Sequence, residues 1–123
     1  MRVTAVMLAA LVLVSLFAGA ASSGQPSGLR GVVMRGPTKP VCRIGEPCEE
    51  PAKSLVLQFR RDGILRAKVT TNSYGKYVVR LRPGRYGVTT PKLRVGQGLT
   101  PRFVRVPRGK IGRVDFHLDT GSQ

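Results

Sequence analysis

The chain has 123 residues, 41% of them hydrophobic, with 21 Lys and Arg against 6 Asp and Glu, a formal charge of +15. Its one His, two Cys and six carboxylates leave little from which to build a four-ligand structural zinc site or a His-rich catalytic one. The charge bears on solubility and partners rather than on fold: it attracts nucleic acid, acidic surface polymers and anionic headgroups. Its simplest account is arginine used on solvent-facing positions, where it also protects strand edges, because the charges are spread from Arg30 to Arg113.

Residues 1–20 read as a secretory signal. Met1-Arg2 starts it with a positive charge, Val3 to Phe17 is almost unbroken apolar sequence, and Ala18-Gly19-Ala20 supplies the small residues of a cleavage site near Ala20. The apolar run is short of the about 20 residues of a membrane span, so no transmembrane segment is expected once it is removed. What remains is one domain's length, with 20 basic against 6 acidic residues and a charge of +14. The expected location is outside the cell or in its envelope.

Residues 21–27 are small and polar, a flexible spacer. Gly28 to Arg35 is a strand centred on Val32 and Val33. From Gly36 to Ser54 the prolines Pro37, Pro40, Pro47 and Pro51 exclude helix and central strand, leaving a loop. The loop holds both cysteines, Cys42 and Cys48. Export and the even count point to a disulfide; a metal pair would lack further ligands nearby. The closed 42–48 loop is short, so the bond contributes only about 2–2.5 kcal/mol. Glu46, Glu49 and Glu50 make this the one acidic spot on a basic chain.

Leu55, Leu57 and Phe59 alternate with Val56, Gln58 and Arg60, the period of a half-buried strand. Asp62-Gly63 predicts a tight hairpin into a return strand, Ile64 to Thr71, with Leu65, Ala67 and Val69 on one face. Asn72-Ser73-Tyr74-Gly75 is a turn. The stretch Gly75 to Tyr86 then predicts two strands joined at Pro83-Gly84: Tyr77, Val79 and Leu81 alternate with Val78, Arg80 and Arg82, Pro83 presets a turn, and Gly84 supplies a positive φ of the kind a type II turn needs. Tyr86 and Val88 resume the alternation. Thr89 to Leu99 is irregular, Arg102 to Val106 is a strand with Val104 and Val106 inward, and Pro107 to Lys110 is a turn. Ile111 to Leu118 closes the domain with Val114, Phe116 and Leu118 on one face, before a tail at 120–123. About seven short strands without helical periodicity predict an antiparallel β-sandwich, because a sheet with one apolar face buries it against another layer.

Thr71, Gly75, Tyr77, Leu81, Pro83-Gly84 and Tyr86, with the closing Val114-Asp115-Phe116 and the opening Gly31-Val32-Val33, resemble the carboxypeptidase regulatory-like domains, β-sandwiches of prealbumin-like (transthyretin-like) type related to Ig-like Greek keys. Gly36-Pro37-Thr38, Pro40-Val41-Cys42 and Pro47-Cys48 resemble a subset of small secreted actinobacterial members. The resemblance covers 28–119. It implies a non-catalytic module, because the zinc peptidase domain to which such modules are attached has no counterpart in this chain.

No catalytic set is assignable. His117 stands alone on the polar side of its strand, no serine carries a nucleophile motif, and Gly96-Gln97-Gly98 lacks the lysine and the strand-to-helix context of a phosphate loop. An internal isopeptide bond has no suitable Lys, amide and buried acid. No cofactor and no metal are expected. Three functional readings remain. A protein-interaction or structural role would use the Cys loop, with Glu46, Glu49, Glu50 and the turn residue Tyr74 as candidate contacts. Carbohydrate binding, suggested by related starch-binding-like domains, has only Tyr74 as an exposed ring. Polyanion binding would use outward positions Arg60, Arg66, Lys68, Arg80, Arg82, Arg102 and Arg113 as a basic face, sensitive to salt and without nucleotide sequence specificity. Family analogy adds a fourth, a regulatory partner of a separate peptidase.

Overall fold

The computed structural model describes residues 25–121, so the expected signal at 1–20 and most of the spacer lie outside the described residues. The described chain is all-β. It has ten strands: β1 (Gly28–Gly36), β2 (Glu50–Pro51), β3 (Val56–Arg61), β4 (Ile64–Thr70), β5 (Lys76–Arg80), β6 (Gly84–Thr89), β7 (Gly98–Thr100), β8 (Phe103–Val106), β9 (Ile111–Arg113) and β10 (Phe116–Asp119). The expected sandwich is present; the strand count is higher because two short strands, β2 and β7, and the division of the last strand into β9 and β10 add to the seven.

One sheet is built on β1. Its first half pairs antiparallel with β5 and parallel with β9; its second half pairs antiparallel with β2 and parallel with β10, which carries β7 at the edge. The other sheet runs β4-β3-β6-β8, antiparallel throughout. Leu29, Val33, Tyr77, Val79 and Phe116 from the first sheet meet Leu57, Phe59, Tyr86, Val88, Val104 and Val106 from the second in one buried core. The rings of Phe59 and Tyr77 lie 6.4 Å apart and those of Tyr77 and Phe116 5.6 Å apart, a tilted chain of aromatics joining the layers.

Four local expectations are corrected. The expected strand Ile111–Leu118 breaks at Val114-Asp115: Val114 N still donates to the Arg30 carbonyl (2.9 Å), but at Val32 N the acceptor is the Asp115 carboxylate (2.9 Å). β9 and β10 also run parallel to β1, so the sandwich is not antiparallel everywhere. In β4 a bulge shifts the register between Phe59 and Arg60, pairing Phe59 with Ala67 but Arg60 with Leu65. The extra residue turns Leu65 outward, where it is exposed, while Ala67 and Val69 stay against the core. Finally, the strands on either side of Pro83-Gly84 do not pair with each other. β5 belongs to the first sheet and β6 to the second, so Pro83-Gly84 is a crossover between layers, with Gly84 at φ +144° rather than near the type II value.

Two glycines fit places where a side chain would collide. Gly75, at φ +75°, closes the Asn72 turn, and a Cβ there would come within 2.5 Å of the Val33 carbonyl oxygen. Asn72 organises that turn by accepting from Tyr74 N (2.9 Å) and Lys76 N (3.0 Å) through its side-chain oxygen. Gly31 sits against the Val114–Asp115 break and is taken up in the Discussion. The buried Thr71 hydroxyl donates to the Ala52 carbonyl and accepts from Leu55 N (2.9 Å), tying the loop end to the β4 exit.

β1 also defines two ends. Leu81 N donates to Ser27 O where the strand begins, so the Pro83-Gly84 crossover lies there; Thr38 N donates to Cys48 O just past its finish, so the Cys loop lies at the other end. Nine extended residues put these ends about 25–30 Å apart.

Tyr77 sits between β1 and the broken strand, its hydroxyl donating to the Val114 carbonyl at 2.5 Å. Burial raises its pKa well above the ordinary tyrosine value, the Asp115 carboxylate adding to the effect and Arg113 opposing it. The folded protein therefore holds the phenol proton at pH values where the unfolded chain has released it. Below pH about 10 the phenol is protonated in both states and contributes no pH dependence; above it, stability falls as pH rises, by up to about 1.4 kcal/mol per pH unit. Urea titrations between neutral and strongly alkaline pH are expected to show this slope and to lose it in Tyr77→Phe.

Candidate anion-binding groove

The crossover end is built around Tyr86. Its hydroxyl donates back to the Arg82 carbonyl at 2.7 Å, four residues upstream, fixing the chain as it passes between sheets. The Arg61 guanidinium lies 5.7 Å from the Tyr86 ring centroid and donates through Nη1 to the Pro83 carbonyl at 3.2 Å. Gly84 makes room: a Cβ there would sit 2.7 Å from Arg61 Nη1. Arg61 is thus held by a ring face and a carbonyl, and an arginine held in this way keeps N–H donors for a ligand.

Around it is a cleft of about 550 Å³. Arg66 from β4 and Arg80 and Arg82 from the β5 exit line it with Arg61, over a floor that includes Leu81 and Tyr86; Asp62 is its one acid. Among the described residues none of these four arginines has a carboxylate within 4 Å. A second cleft of about 610 Å³ shares Arg61, Asp62 and Tyr86 with the first and extends over Gly63 and Gly87 to Arg60, Arg85 and Phe103. There the Arg85 guanidinium lies 4.9 Å from the centroid of the exposed Phe103 ring. Gly87 pairs with Phe103 and is open enough for the ring to lie across it.

The expected basic face is therefore divided. Arg66, Arg80 and Arg82 converge in the first cleft and Arg60 lines the second. Lys68 is exposed on β4, opposite Gln58. Arg102 lines a separate depression with Leu93, Gln97 and Leu99. Arg113 lies in the other sheet, beside Arg30, where Asp115 pairs with it at 3.3 Å. Arg61, Arg85 and Phe103 were not among the expected contacts. Phe103 was legible, since Val104 and Val106 point inward and put it outward; Arg61 was not, because it shares the parity of Leu57 and Phe59 and leaves the core only by standing at the strand's end.

At the opposite end each of the three loop glutamates has a partner. Glu46 pairs with Lys39 (2.8 Å), Glu50 with Arg35 (3.6 Å) and Glu49 with His117 Nε2 (3.1 Å). His117 thus joins the end of the loop, just before β2, to β10. The Cys42–Cys48 bond closes the loop at a Cα separation of 5.7 Å, and Val41 and Ile44 are exposed beside it. Tyr74 is exposed on the Asn72 turn, which packs against Pro51-Ala52 at this same end. Gly75, Tyr77, Leu81, Pro83, Gly84 and Tyr86 lie along one continuous path from that turn to the crossover, the buried Tyr77, Leu81 and Tyr86 in the core. Among the described residues no three His, Cys, Asp or Glu side chains converge on a metal-sized site, and no helix is long and apolar enough to cross a membrane.

No protein-family model matches the sequence, and no curated protein matches it.

Proposed function

We propose that the protein is a non-catalytic β-sandwich module, working outside the cell or in its envelope, that binds an anionic partner at the crossover end. The observation that carries this reading is the cleft lined by Arg61, Arg66, Arg80 and Arg82, none of which has a carboxylate within 4 Å among the described residues. Like charges gathered in this way repel, and a bound anion relieves the repulsion while taking up their donors. The apolar start of the chain, the disulfide and the resemblance to carboxypeptidase regulatory-like domains support export and a binding role. Retention on an immobilised acidic polymer tests the reading. R66Q/R80Q/R82Q is expected to elute at lower salt than the parent and to lower the log–log salt slope by about one unit for each lost contact. The control K53Q/R43Q/R94Q, with the same net charge, keeps the parent's behaviour. Equal elution of the two triple variants would sink the reading.

A second reading, protein docking at the Cys loop, rests on Val41 and Ile44, 70% and 105% exposed on a covalently closed loop. Here I44D is expected to lose a partner captured from culture medium at high salt, whereas R66Q/R80Q/R82Q retains it; capture unaffected by I44D would remove this surface.

A further inference from the structure

We infer that the two clefts at the crossover end are adjoining subsites of one groove that takes an extended acidic polysaccharide, several charged units at a time. The inference rests on the proposed anion-binding role and goes beyond it in ligand class and in the use of the second cleft. Arg61, Asp62 and Tyr86 line both clefts, so a chain leaving the first passes directly into the second. Each cleft contains an arginine set against an aromatic ring, Arg61 by Tyr86 and Arg85 by Phe103. A guanidinium stacked this way keeps its in-plane N–H fork for carboxylate or sulfate. Across the groove Arg60, Arg61, Arg66, Arg80, Arg82 and Arg85 face the single acid Asp62, far more charge than one small anion requires.

The lining also selects among polymers. Single-stranded nucleic acid binds by stacking successive bases on a series of free rings; here Tyr86 is buried and Phe103 already carries Arg85. An acidic peptide would want pockets for apolar anchors, and Leu81 is the only aliphatic side chain in either lining. A sugar chain bearing a charge on each unit needs neither: it lies in an open groove and is held by forks spaced along it.

Titration of the oxidised protein with galacturonate monomer and with a graded series of its oligomers, at low salt, tests this. Affinity is expected to rise with length and to level off once both subsites are filled, the gain reaching about a hundredfold as the second contact becomes intramolecular. R60Q/R85Q is expected to remove that gain and to lower monomer affinity only to the extent that the monomer also occupies the second cleft; R66Q/R80Q/R82Q weakens the monomer more strongly. Both sets lie on exposed or half-buried positions, and thermal melts check that the variants fold. Monomer binding that depends on Arg66, Arg80 and Arg82, but without length dependence or without an effect of R60Q/R85Q, would overturn the extended groove and leave the anion-binding reading standing. Failure of both monomer and oligomer to bind better than they bind R66Q/R80Q/R82Q would overturn both. Oligothymidylate and polyglutamate of matched charge serve as competitors, and displacement by either at lower concentration than the galacturonate series would reject the polysaccharide assignment.

Discussion

Phe59→Ala is expected to lower the unfolding free energy by about 3–5 kcal/mol. Phe59 is fully buried in the central strand β3, between β4 and β6, and its ring approaches Tyr77 across the two layers. Truncation removes the ring's transfer free energy and leaves a cavity between two sheets. Those sheets cannot collapse onto it, because hydrogen bonds on both sides hold β3 in place. A domain this small has about 5–15 kcal/mol in total, so the variant should unfold at much lower urea, with the same dependence on denaturant as the parent. A loss below about 1 kcal/mol would mean that the two layers are less tightly joined than the aromatic chain implies.

Gly31→Ala should cost about 3 kcal/mol or more, at or beyond the upper end of ordinary overpacking. A Cβ at Gly31 would lie well inside contact distance of the Val114 carbonyl oxygen, 2.7 Å from the Val114 carbonyl carbon and 2.9 Å from Asp115 Oδ1. Backbone cannot step aside as a flexible side chain can. Val114 is held by its own N–H on the Arg30 carbonyl and by the Tyr77 hydroxyl on its oxygen, and Asp115 is held by Val32 N. One methyl group therefore disturbs the first sheet at its central strand. Gly98→Ala, which meets nothing within 4 Å, is the matched control and should be nearly silent. Thermal melts of the two variants check the pair.

How far the sequence can be read depends on the range of the interaction concerned. The inward positions Leu57, Phe59, Tyr77, Val79, Leu81, Val104 and Val106 follow from a period of two, which needs only neighbouring residues, and the layered all-β class follows from them. Leu65 breaks the pattern because a bulge is an agreement between two strands and leaves no mark in either alone. Pro83-Gly84 looks the same whether the chain folds back beside itself or crosses to another layer; the choice is made by Tyr86 packing and by β1, some fifty residues earlier in the chain. The parallel placing of β9 and β10 is similarly remote. As for the groove, Arg66, Arg80, Arg82 and Arg60 could be named as outward cations. Their division between two clefts, the exclusion of Arg102 and Arg113, and the entry of Arg61 and Arg85 depend on which strands become neighbours.

The pairing of β1 with β9 and β10 has a mechanical side. β1 enters the domain at the crossover end, and β10, lying parallel beside its second half, leaves at the Cys-loop end. A pull between these two points runs along the strands, so the hydrogen bonds joining them are loaded together in shear and cannot be unzipped one at a time. A domain of this plan is suited to bearing load along the direction of its strands.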